Sequence, residues 1–179
     1  YPAYSSDRQK GIAASVAGDH ASAIKRLKPY AQQGDAEAQF YLSMSFYEHY
    51  EKSELKDPKQ LEETRYWLTL SAKNGFIEAQ NFLGSIYQGR WMKDIYPKNI
   101  KSAIKWHSKA SELGDPFSMI ILAEIYKDPE SGPLQDIPKA LKVLRRAAEL
   151  GHSFAQWELG NEYELGKNVE HNPVKSLMW

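Results

Sequence analysis

The sequence predicts an all-α fold, a right-handed superhelical α/α solenoid of stacked antiparallel helix hairpins. The first observation behind this is a repeat. Glycines 34, 75, 114 and 151 lie 41, 39 and 37 residues apart, and equivalent side chains follow each of them. The fourth position after each glycine is small (Ala38, Ala79, Ser118, Ala155) and the eighth is leucine (Leu42, Leu83, Leu122, Leu159). The ninth is small again (Ser43, Gly84, Ala123, Gly160) and the twelfth is aromatic (Phe46, Tyr87, Tyr126, Tyr163). A period of about forty residues signals an array of stacked units rather than one closed core. The second observation is helical spacing of apolar residues, as in Ile12 and Val16 or Ala23, Leu27 and Ala31. The third is punctuation: Asp115-Pro116 is a capping residue followed by proline at a first helical position, and Asn74-Gly75 is a stop signal.

Taken in order, residues 1–6 read as a flexible lead-in. A short helix over Asp7–Val16, a turn at Gly18-Asp19 and a helix over His20–Gln33 form an atypical opening hairpin, residues 1–33. Pro29 removes one backbone bond within the second helix. Four units follow, approximately 34–74, 75–113, 114–150 and an incomplete 151–179, as one continuous solenoid. The first helix of each opens after its glycine: Ala36–Tyr50, Ile77–Gln88, Pro116–Lys127 and Ser153–Leu165. The second helices are Leu61–Asn74, Asn99–Leu113 and Pro138–Leu150. Each ends just before a glycine, for which a left-handed backbone is cheap. Connections over 51–59, 89–98, 128–137 and 166–172 mostly carry proline with charged or glycine neighbours, which places them on the surface. Trp179 stands where a second helix would place its tryptophan. Small residues at the fourth and ninth positions let helix backbones approach closely, and the leucine and the aromatic fill the space between.

Composition excludes several classes of function. Lys+Arg and Asp+Glu balance at 23 each, so no global field attracts nucleic acid or acidic lipid, and no basic stripe stands out. No run approaches the roughly eighteen apolar residues of a membrane span. The chain has no cysteine, which removes disulfides, thiolate catalysis and cysteine-bound zinc. It opens at Tyr1-Pro2-Ala3 with neither Met nor an apolar leader, which fits removal of an export signal or a trimmed chain; the reading leans to a periplasmic or secreted protein.

No pattern of reacting residues emerges. His20, His49, His107, His152 and His171 are scattered, with no second ligand one turn away, so packing or surface roles fit them better than a metal site. Gly84-Ser85 belongs to the packing pattern and not to a nucleophile elbow, and Gly89-Arg90-Trp91 lacks the lysine of a phosphate loop. No cofactor is expected. The basic clusters Lys25-Arg26-Lys28 and Lys139-Lys142-Arg145-Arg146 read as the outer faces of second helices.

The run Ala79-Gln80, Leu83-Gly84, Tyr87, Gly89, Ala103, Trp106, Ala110, Gly114 resembles a Sel-1-like repeat, a relative of the tetratricopeptide repeat. Ala155-Gln156, Leu159-Gly160, Tyr163, Gly166, Val169, Lys175-Ser176 and Trp179 resemble another. The units at Leu42-Ser43 and Leu122-Ala123 depart from the Leu-Gly pair, and Val143 replaces tryptophan. The resemblance implies a non-catalytic adaptor that binds a peptide or another protein, often in bacterial envelope or host-interaction settings.

If the register carries over from tetratricopeptide repeats, the third, sixth, tenth and thirteenth positions after each glycine face a concave groove. The partner-binding candidates are then Phe40, Met44, Tyr47, Asn81, Gln88, Ile120, Glu124, Lys127, Trp157, Asn161 and Glu164, with Phe117 and Phe154 at equivalent places. The rival reading wedges the apolar members between hairpins. Trp91 and Tyr96 lie in a connection, as exposed anchors or folded back onto a second helix. Two alternatives stand beside this reading. A bacterial immunity protein would plug a toxic effector with Glu48, Glu51, Glu54, Trp91 and Tyr96. A carboxylate-dependent hydrolase would use Glu37, Glu78 and Glu124.

Overall fold

The structure, a computed structural model, describes residues 2–92 and 95–179, with side chains from Asp7 onward. Ten α-helices and one 3₁₀ helix make up the described residues, with no strand among them. They fall into two compact units, residues 1–98 and 99–179. In the first unit α1 (Pro2–Ala17) pairs with α2 (His20–Gln32), α2 with α3 (Ala36–Lys52), α3 with α4 (Pro58–Lys73), and α4 with α5 (Ile77–Tyr87). In the second, α6 (Ile100–Glu112) packs on α7 (Pro116–Lys127), α7 on α8 (Ile137–Glu149), α8 on α9 (Ser153–Leu165), and α9 on α10 (Pro173–Met178).

Helix ends follow local chemistry. α7 and α9 span the predicted ranges to the residue. α4 starts three residues ahead of the expected Leu61, because Asp57 caps it by accepting from the Lys59 N–H at 3.0 Å and Pro58 takes the first turn. The expected lead-in is helical from Pro2 onward, and Tyr1 lies outside the described residues. The connection 128–137 is not irregular throughout: Asp128 caps a 3₁₀ helix over Pro129–Leu134. Of the connection 89–98, positions 93 and 94 lie outside the described residues.

The repeat glycines close one recurring turn. Gly34, Gly75, Gly114 and Gly151 have φ of 93°, 89°, 91° and 84°. A Cβ on any of them would meet nothing within 4 Å, so backbone conformation and not lack of space selects glycine there. The residue after each glycine then donates its N–H five residues back: Asp35 to Tyr30, Phe76 to Ser71, Asp115 to Ala110 and His152 to Ala147, at 3.1–3.2 Å. That is a Schellman closure, which satisfies carbonyls that the helix end leaves open. A side-chain latch adds to it. Gln39 Nε2 donates to the Ala31 carbonyl at 2.9 Å, Gln80 to Ala72 at 3.0 Å and Gln156 to Ala148 at 3.1 Å. Met119 replaces this glutamine in the third unit, where buried His107 instead places Nδ1 3.2 Å from Ser118 Oγ.

Packing follows the period. Ala38, Ala79, Ser118 and Ala155 are fully buried, as are the four leucines to within 2% exposure. In the first unit Ala23, Leu27, Ala31, Ala38, Leu42, Phe46 and Trp67 form one core. In the second, Met119, Ala123, Ala140, Leu144, Ala147, Ala155 and Leu159 form another, and Trp179 packs against it. α1 and α2 meet at Gly11, where a Cβ would lie 2.8 Å from Leu27 Cδ2. At Gly160 it would lie 3.3 Å from the Ser176 carbonyl of α10.

Ion pairs tie helices that are not neighbours in sequence. Arg8 of α1 binds Asp35 and Glu37 at the start of α3, with Nη2 3.0 Å from Asp35 Oδ1 and 2.5 Å from Glu37 Oε2. Lys127 at the end of α7 reaches Glu158 at 2.7 Å and Glu162 at 2.6 Å on α9. Asn168 Nδ2 also donates to Glu162, at 2.9 and 3.0 Å. Burial would raise the Glu162 carboxyl, but these bonds from Lys127 and Asn168 outweigh it and hold the group below its ordinary value. Burial likewise opposes the charge on Lys127, and the two glutamates more than offset it and push the ammonium up.

Two expectations follow. Ala155→Leu overfills the α7–α9 core and lowers stability by about 1–3 kcal/mol in urea unfolding, with the chain still helical by circular dichroism. Lys127→Met costs about 1–3 kcal/mol at neutral pH. A carboxyl depressed in the folded state stabilises fully above its unfolded value, about 4.3, and loses that contribution as pH falls through the folded value. The gap between native and Lys127→Met stabilities therefore narrows below about pH 4.3, read from urea titrations across pH.

Candidate protein-binding surface

The predicted surface residues fall on first helices, and each unit presents its own set. In residues 1–98, Met44 and Tyr47 lie one turn apart on α3. With Glu48, Phe82 of α5, and Trp91 and Met92 of the following connection, they line a pocket of about 300 Å³. Trp91 is 59% exposed, while Met92 is buried. Side chains of α3 thus share one apolar hollow with side chains 34–48 residues further along the sequence.

The connection is shaped to do this. Met92 has φ of 46°, the left-handed region, which costs a residue with a Cβ about 1–2 kcal/mol. Its carbonyl accepts from the N–H groups of Ile95 and Tyr96, both at 3.0 Å. Tyr96 then anchors the segment. Its hydroxyl lies 3.2 Å from Thr69 Oγ1 and 3.3 Å from the Arg65 carbonyl, and its ring meets Tyr87 edge-on at 5.4 Å. The Arg65 guanidinium sits 5.5 Å from the Tyr96 ring. At 4% exposure, Tyr96 is no exposed anchor; it folds back onto the second helix α4, and burial pushes its hydroxyl up to about 12. Trp91 alone of the two remains at the surface.

Phe40 takes the packing role. Its ring lies 5.4 Å from Phe76 and 6.1 Å from Phe82, in an aromatic cluster between α3 and the start of α5. Asn81 and Gln88 are half-buried on or just after α5, outside the pocket. A larger hollow, about 740 Å³, opens on the second-helix side between α2 and α4. Its walls mix Lys28 and Lys59 with Glu62 and Glu63, so its charges balance internally, and no predicted binding residue lines it.

In residues 99–179 the exposed feature is aromatic. Trp157 is 62% exposed and its ring lies 5.7 Å from that of Phe154, also on α9. Phe117 is exposed at the equivalent place on α7. Glu124 and Glu164 are exposed and Asn161 is half-buried. Ile120 is corrected: at 7% exposure it belongs to the α7–α9 core and cannot contact a partner there. Lys127 is engaged with Glu158 and Glu162, so its charge is already satisfied within the unit.

The remaining motifs resolve into structure. His107 packs in the α6–α7 interface, and no group of three or more His, Asp or Glu side chains able to hold a metal occurs among the described residues. Glu37, one of the three carboxylates of the hydrolase reading, is bound by Arg8. The basic clusters of α2 and α8 are exposed on second helices, as expected. Among the described residues no helix is long and apolar enough to cross a membrane.

Comparison with known proteins agrees with this architecture. The model of the Sel1 repeat matches four times, over residues 36–76, 77–115, 116–152 and 153–179. The chain is similar to c5321, a protective antigen present in uropathogenic Escherichia coli strains that displays an SLR fold. The two share 27% identity and a TM-score of 0.71, over 87% of this chain and 32% of that one. It is also similar in fold to a Sel1 repeat protein from Oxalobacter formigenes, at 24% identity and a TM-score of 0.71, over 96% of this chain and 66% of the other. The chain therefore spans about a third and about two thirds of the lengths of these two proteins. Repeats of this kind generally serve as protein–protein interaction scaffolds. With its four matched repeats and the turn, latch and leucine recurring in phase, the chain belongs to the Sel1 repeat family.

Proposed function

We propose that this chain is a non-catalytic scaffold that binds a peptide or protein segment on its first-helix surfaces. In residues 1–98 the anchoring point is the pocket of Met44, Tyr47 and Trp91; in residues 99–179 it is Trp157 with its neighbour Phe154. The observation that carries the reading is the convergence of Met44, Tyr47 and Trp91 on one hollow beside a tryptophan left largely in solvent. Large aromatic side chains that border a pocket and are not consumed by the core are what binding hot spots are made of. Each predicted residue that proved buried, Ile120 and Tyr96, has a packing role that explains it.

Selection of a displayed random-peptide library on the whole chain tests this. Binding of the selected peptides, measured by fluorescence anisotropy, weakens about thirtyfold on Trp91→Ala or Tyr47→Ala, equivalent to about 2 kcal/mol. Tyr66→Ala, which truncates an exposed ring on α4, leaves it unchanged. Equal binding by all three variants would overturn the pocket assignment.

A further inference from the structure

The lining of the Met44–Trp91 pocket has a one-sided chemistry. Three rings (Tyr47, Phe82, Trp91), two thioethers (Met44, Met92) and one carboxylate (Glu48) surround it, and among the described residues no cationic side chain does. Aromatic faces and a carboxylate both attract positive charge, and thioether sulfur is polarisable. Its volume of about 300 Å³ suits one long side chain rather than a folded element. A purely apolar guest would gain burial there but would offer no partner to the Glu48 carboxylate at its edge.

Lys52, its ion-pair partner one turn on, leaves Glu48 unsaturated. Lys52 Nζ stands 3.6 Å from Glu48 Oε2, beyond the 2.7–2.9 Å of a charge-assisted hydrogen bond, and 3.1 Å from His20 Nε2 on α2. The ammonium donates to the imidazole, so it is held on the α2 side and not over the pocket. Glu48 thus keeps an acceptor for a second cation.

We propose that this pocket receives an arginine side chain of the bound segment, its guanidinium against the Trp91 and Tyr47 rings and paired with Glu48. The inference rests on the reading of the pocket as a binding site and adds the chemistry of what enters it. Arginine fits better than lysine because a planar guanidinium stacks on an indole and pairs with a carboxylate at the same time.

The test is a titration of the whole chain with N-acetyl-arginine methylamide, its neutral isostere N-acetyl-citrulline methylamide, and N-acetyl-norleucine methylamide. The readout is the Trp91 indole N–H resonance, assigned by its loss in Trp91→Phe. The arginine derivative shifts it saturably, and citrulline binds about tenfold more weakly. Glu48→Gln, on an exposed side chain, weakens arginine about fivefold and erases most of its preference over citrulline while leaving the other resonances in place. Citrulline or norleucine binding as tightly as arginine, or a preference unmoved by Glu48→Gln, overturns the inference. In the norleucine case the pocket stands as an apolar site. If none of the three shifts the resonance, the arginine inference falls, and the peptide experiment judges the pocket separately.

Discussion

The constraint on which the rest depends is steric: helix backbones must come close enough for a leucine and an aromatic to seal the space between them. Ala38, Ala79, Ser118 and Ala155 are fully buried at the positions where this happens. At Gly160 even a methyl group would press on the Ser176 carbonyl. Everything larger in the repeat, from Leu42 to Trp67, occupies room that these small residues leave. That is why the side chains return in step: they answer one geometric demand made at each turn of the array.

The side chains proposed to bind lie where the pattern does not specify the residue. Positions locked by packing carry leucine or a small residue, alanine, glycine or serine, in every unit. The tenth and thirteenth positions after Gly34 are Met44 and Tyr47, and the third and sixth after Gly151 are Phe154 and Trp157. These side chains lie outside the buried core clusters; Phe154 and Trp157 are exposed, and Met44 and Tyr47 are half-buried. The connection after α5 adds Trp91 by adopting a left-handed backbone at Met92, a conformation held in place by Tyr96 and by two backbone bonds.

Much of this was legible in the sequence because its causes are local. Caps at Asp19, Asp115 and Asn74-Gly75 act within a few residues, so the helix ends they imply are those observed, to within a residue or two. The start of α4 was missed since Asp57-Pro58, a valid cap, stood inside what read as a connection. What stayed hidden was set by contacts distant in sequence. Tyr96 is buried because it meets Thr69 and Arg65, 27 and 31 residues away, and nothing in 89–98 announces that. Ile120 shares its register position with exposed Trp157, yet the α7–α9 core takes it in. The pocket itself depends on α3 and a connection meeting, which periodicity cannot foresee. The role of Gln39, Gln80 and Gln156 was hidden differently: the residues recur visibly, but their acceptor is a main-chain carbonyl, which leaves no trace in side-chain identity.

That glutamine bond spans only eight residues, from Gln39 back to Ala31, Gln80 to Ala72 and Gln156 to Ala148. Both of its ends, and the glycine between them, leave the ribosome almost together. Each corner of the array can therefore set before the next hairpin has been made, and short-range closures of this kind favour fast folding. In the third unit, where methionine takes the glutamine's place, the side-chain contact across the corner joins His107 and Ser118, eleven residues apart, beside the same main-chain closure of Asp115 onto Ala110.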